Sequence, residues 1–148
     1  MTETARNFEK CLVAGQEMII EDFAKILWAD MDYDEDRAKE VATTVIAYLL
    51  GYSDGTEDWD PDDTPEPYKV VAHHYMETSP IIREFVVRTH QMGMLLINHG
   101  QPGPNHCRQQ HMFDMNERYG KRVGPPPTSL KTYAAFLSAV LKNRPAET

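Results

Sequence analysis

Six histidines, His73, His74, His90, His99, His106 and His111, fall within residues 73–111 of this chain. Imidazole is both the commonest metal ligand and the side chain that titrates near neutrality, so the cluster is the first place to look for chemistry. His73 and Glu77 stand four residues apart and share a face if the segment is helical. His106 and His111 are five apart and diverge on a regular helix, with Cys107 beside them. His90 sits at the border of a strongly apolar helical face, where partial burial is expected. A helical bundle can draw such groups together from facing helices. His73, Glu77, His90, His106 and His111 are therefore the candidate ligands of a transition metal or haem. The patterns that would make such a site specific are missing: there is no His-Glu-x-x-His, no Cys-x-x-Cys and no repeated Glu-x-x-His. The plainer expectation is a mixture of core and surface histidines and no bound cofactor.

Other chemistry finds less support. Asp30, Asp32 and Asp34 have the opening spacing of a calcium loop. Glu35 then stands where that loop needs glycine, and Val41 where it needs the bidentate acid. Asp58, Asp60 and Asp62 fail in the same way. There is no glycine-rich phosphate loop and no His-Asp dipeptide. Glu17, Glu21 and Glu40 imitate the paired acids of a magnesium-dependent helical hydrolase only loosely, and a solvated face accounts for them. No catalytic set is complete, so the expectation is a protein that is not an enzyme.

Charge is the more informative feature. Residues 1–66 carry 18 acids against 5 bases, a net of −13, while residues 67–148 carry 5 against 10, a net of +5, which together give the overall −8. Such a molecule can steer an oppositely charged partner onto one side or pair with a copy of itself. Residues 53–66 hold seven acids and no base, with a tryptophan in their midst. Asp58, Trp59, Asp60, Asp62 and Asp63 are accordingly the candidate contacts for another protein with a basic surface. In the second half Arg108, Arg118, Lys121 and Arg122 gather around Tyr119 and could supply a modest phosphate contact. The acidic half opposes nucleic acid, so that reading ranks third. The leading expectation is a small regulatory or binding protein that docks a protein partner through its asymmetric charge and an apolar helix face, and that forms a homodimer or other homo-oligomer.

The elements that must position these residues are all helical in pattern. Phe8, Leu12, Ile19, Phe23, Ile26 and Leu27 recur at helical spacing over about residues 4–30, a span of roughly 40 Å. After a short acidic break in which Asp32 and Glu35 form a capping pair, Ala38, Val41, Ala42, Val45, Tyr48, Leu49 and Tyr52 mark a second helix, which should fold back on the first. A short helix ends near Glu77. Ser79-Pro80 opens the most apolar one, residues 80–98, with Glu84, Arg88, Gln91 and Asn98 on its wet arc. Residues 106–119 form a fifth helix, residues 120–127 a stiff basic connector, and Thr128 or Ser129 caps the last helix.

At 148 residues the chain has the size of one domain. The fold expected is all-α: a compact single-domain bundle of about five to six helices, beginning with a long helical hairpin. Its parts are residues 1–52 (hairpin), 53–66 (acidic loop), 67–142 (histidine-rich basic part) and 143–148 (frayed tail). Two cysteines are too few for a disulfide framework. No apolar run is long enough to span a bilayer, and the first residues do not read as a secretion signal. A cytoplasmic location away from membranes is the expectation.

Overall fold

Three residues, Asp32, Tyr33 and Asp34, make the first reversal of the chain. In the computed structural model, which describes the backbone of residues 3–51, 60–100 and 106–142 and the side chains of 15–51, 60–100 and 107–139, helix α1 covers Glu3–Met31 and α2 covers Glu35–Leu50. Asp32 takes a left-handed conformation (φ +56°), unusual for a residue with a side chain, and so turns the chain without a glycine. The capping acid is therefore Asp34 rather than Asp32. Its carboxylate accepts the Arg37 N–H at 2.7 Å, and Glu35 and Asp36 follow in the first turn, where the helix dipole favours them. The hairpin forms as expected: α1 buries Ile19, Phe23 and Leu27, and α2 buries Ala38, Val41, Ala42, Val45, Ile46 and Leu49. Gly51, left-handed at φ +65°, ends α2 by donating to the carbonyls of Ala47 and Tyr48. The helix stops short of Tyr52 because the glycine takes the turn.

The acidic stretch is not wholly irregular. Asp60 accepts the Asp62 N–H at 2.9 Å and opens a short 3-10 turn, Pro61–Asp63. Helix α3, Glu66–Thr78, follows after Pro65. A single residue, Ser79, separates α3 from α4, Pro80–Asn98. Its N–H closes α3 on the Tyr75 carbonyl (2.8 Å), and its hydroxyl accepts from Ile82 at the start of α4 (3.5 Å). Arg83 finishes the junction by donating to the last carbonyls of α3, those of Met76 (2.9 Å) and Glu77 (3.2 Å).

Helix α4 is the centre of the bundle. It packs against α1, α2 and α3 and against α5, His106–Tyr119, and α6, Leu130–Lys142. One apolar cluster draws side chains from all six helices. Glycines sit at two close approaches between helices. A Cβ on Gly15 of α1 would lie 2.8 Å from Phe85 and 2.9 Å from Leu137, and one on Gly93 would lie 2.5 Å from the methyl of Met112. Tyr133 of α6 reaches Thr89 of α4 through a buried hydroxyl pair at 2.6 Å.

Arg88 and Gln91 do not lie on a wet arc. Arg88 donates to the carbonyls of Val123 (2.6 Å) and Pro125, and Gln91 donates to that of Gly124 (3.3 Å) and to Asn116 (3.2 Å). The reason is the connector: after a 3-10 turn at Gly120–Arg122, Val123 and Pro127 are buried, and the carbonyls that come in with them need donors from the body of the bundle. The described residues contain no strand, and none of their helices is long and apolar enough to cross a membrane. Residues 52–59 and 143–148, which include half of the expected acidic loop and the tail, lie outside the described residues.

Candidate functional site

The end of α2 is buried, with Leu49, Leu50 and Gly51 all shielded from water. The last carbonyls of any helix lack donors within it. Here two imidazoles stand across from them. His90 of α4 is 1% exposed and faces the carbonyls of Leu49 and Leu50; His111 of α5 is 6% exposed and faces those of Tyr48 and Leu49. The two rings are 5.9 Å apart between centres and nearly perpendicular, at 80°. Neither nitrogen of His90 completes a hydrogen bond.

His73, half-buried on α3, extends the group. Its Nδ1 lies 2.9 Å from the Tyr119 hydroxyl and its Nε2 3.4 Å from the Tyr48 hydroxyl. The Tyr48 ring is edge-on to His111 at 5.1 Å and to His73 at 6.1 Å. Burial dominates the electrostatics. It pushes His90 down to about 3, with repulsion from His111 adding to it, and the carbonyls of α2 only partly offset the shift. Burial also lowers His111, and it lowers His73 with help from Arg118. The same desolvation raises the Tyr48 and Tyr119 phenols. At neutral pH the whole group is uncharged.

Of the five candidate ligands, His73, His90 and His111 are thus brought to one region, where α2, α3, α4 and α5 meet. They do not close on one point: among the described residues no three His, Cys, Asp or Glu side chains are placed to hold a metal ion. Glu77 is held by Arg122 at 2.5 Å, which keeps its carboxyl below the ordinary range. The His106 side chain lies outside the described residues, and His74 and His99 are exposed. The two tyrosines that organise His73 were not singled out from sequence. Tyr48 closes an apolar stripe and Tyr119 ends a helix beside Arg118, and only the packing of α2 against α3 and α5 joins them.

The acidic side of the molecule presents a different surface. At the α1–α2 reversal, residues 28–37 carry Asp30, Asp32, Asp34, Glu35 and Asp36 against one base, Arg37. All except Tyr33 are exposed. Trp28 is 58% exposed there and Met31, three residues on, 42%. Tyr75 donates to Asp30 at 3.1 Å and ties this tip to α3. Trp28 was missed from sequence, although it falls off the stripe of Ile19, Phe23 and Leu27 and so had no place in the core. Of the expected partner contacts, Asp62 and Asp63 are exposed and Asp60 half-buried as a cap, with Asp62 3.9 Å from Lys69. Asp58 and Trp59 lie outside the described residues.

The basic residues are more occupied than their sequence clustering suggests. Arg122 pairs with Glu77, and Arg118 and Arg122 both lie over the Tyr119 ring, at 5.3 and 5.9 Å. Arg108 packs beside Gly51, and Lys121 is exposed. Comparison of the chain with protein families, with curated proteins and with solved structures finds no match.

Proposed function

We propose that this is a non-catalytic helical binding or regulatory protein that docks a partner protein with a basic surface, and that the α1–α2 tip is its docking point. The observation that carries the reading is Trp28, 58% exposed on a helix end with five carboxylates among the next eight residues. Tryptophan is among the residue types that contribute most to interfaces when it fills a pocket on a partner, and more than half of this one is exposed. The carboxylates around it supply long-range attraction and select against acidic partners. Met31 adds a soft, adaptable apolar neighbour. The tip is braced from behind by the hairpin and by the Tyr75–Asp30 bond, so little order has to be gained on binding.

The test is affinity capture from cells that make the protein, with wild type, Trp28→Ala and an Asp30→Asn/Asp32→Asn/Asp34→Asn variant run side by side. The reading expects a defined basic protein held by wild type, lost at least tenfold from Trp28→Ala, and released from wild type as salt is raised. Capture that is indifferent to Trp28 and to the three acids overturns it. Recovery only of the chain's own copies, with the same dependence, would replace the separate partner by self-association.

A further inference from the structure

Packing alone does not account for the imidazole pair at the end of α2. His90 is 1% exposed, and neither of its ring nitrogens completes a hydrogen bond although the Leu49 and Leu50 carbonyls stand across from the ring. We propose that His90 and His111 form a two-coordinate site for a soft monovalent metal ion, Cu(I), which the two imidazoles hold between α4 and α5.

The spacing is the first argument. With nitrogen–metal bonds of about 2 Å, two imidazoles on one ion have ring centres about 5 Å apart at a tetrahedral angle and about 6 Å apart when nearly linear. The observed 5.9 Å allows the linear arrangement, which Cu(I) adopts and zinc does not. Charge is the second. The acid that acts on His111, Asp114, is exposed on α5 and accepts from Gln110, and Glu77 is held by Arg122. A divalent ion would therefore sit buried without a formal counter-charge. A single positive charge faces the negative end of α2, whose Tyr48, Leu49 and Leu50 carbonyls point at the two rings.

The surroundings agree. Both imidazoles are held neutral by burial, the state in which imidazole ligates. Met112 packs on Gly93, one turn from His90, and Met115 stands one turn from His111; both are buried thioethers, suited to a soft ion. His73 takes no part, because its nitrogens already lie on two tyrosine hydroxyls.

The test is an anaerobic titration of the full chain, with Cys11→Ser and Cys107→Ser introduced so that thiols do not compete, against Cu(I) held by the chromophoric chelator bicinchoninate. The expected result is one equivalent withdrawn, with an X-ray absorption edge showing two-coordinate Cu(I) and nitrogen neighbours. His111→Gln, shown folded by circular dichroism, should weaken binding at least tenfold, and His90→Phe likewise. His73→Gln, His74→Ala and His99→Ala should leave it unchanged. Withdrawal of less than a tenth of an equivalent, binding retained in a folded His111→Gln, or an absorption spectrum with sulfur neighbours alone would overturn the proposal. If neither pair variant folds, the nitrogen or sulfur shell of the parent chain decides.

Discussion

His90 costs far more to charge inside this protein than outside it, and that difference has a measurable consequence. Its folded value near 3 lies well below the 6.5 of an exposed imidazole, so below about pH 6.5 the unfolded chain binds a proton that the folded one refuses. Stability is therefore fully present above that pH and falls as acid is added, by up to about 1.4 kcal/mol per pH unit from this residue alone until its folded value is reached. His111 and His73 shift the same way and steepen the loss. Urea unfolding of the metal-free protein at pH 7.5 and pH 5 should show a drop of about 2 kcal/mol or more. A stability independent of pH over that range would contradict a neutral buried cluster. Trp28 is the opposite case. It is 58% exposed, so Trp28→Ala should change stability by no more than about 0.5 kcal/mol. A larger loss in thermal unfolding would mean that the indole packs and does not wait for a partner.

Among the elements, α4 carries the architecture, and two of its contacts make separate predictions. Arg88 holds two carbonyls of the connector that leads to α6. Arg88→Met keeps the stem but removes the donors, and should cost about 1–3 kcal/mol, read as a fall in thermal midpoint and as faster amide exchange over residues 120–127. Gly15→Ala should also destabilise, by about 1–3 kcal/mol, even though alanine is the better helix former, because its methyl meets Phe85 and Leu137 at under 3 Å. Helix positions were legible from apolar spacing and caps: residues 80–98 and 106–119 were expected where they occur, and Ser79 and Ser129 cap as expected. The connector's anchoring was not legible. Arg88 and Gln91 fall on the polar arc of a wheel, and a wheel does not show that a proline-rich loop from 35 residues later will present carbonyls to that arc. The cap at Asp34 was missed for a related reason, since the left-handed turn at Asp32 is a property of backbone conformation and not of residue type.

At the scale of the whole molecule the chain is a helical bundle with two unlike ends of chemical interest. One is a neutral, buried histidine–tyrosine group, and the other an exposed acidic tip. The histidines could be counted in the sequence, but their meeting depends on how α5 lies across the end of α2, which spacing within one helix does not encode. The acidity of the first half was plain from composition, whereas its focus on Trp28 required knowing that α1 turns this residue away from the core. Screening sets the range of that field at roughly 8 Å in physiological salt, so it guides a partner only over the last approach and then around the indole itself. The most direct measurement replaces Trp28 by a photo-crosslinkable phenylalanine analogue in cells and reads the adducts after illumination. The account predicts one dominant adduct with a basic protein, absent when the same analogue is placed at exposed Phe113. No adduct at position 28, or the same adducts from both positions, would contradict a docking role for the tip.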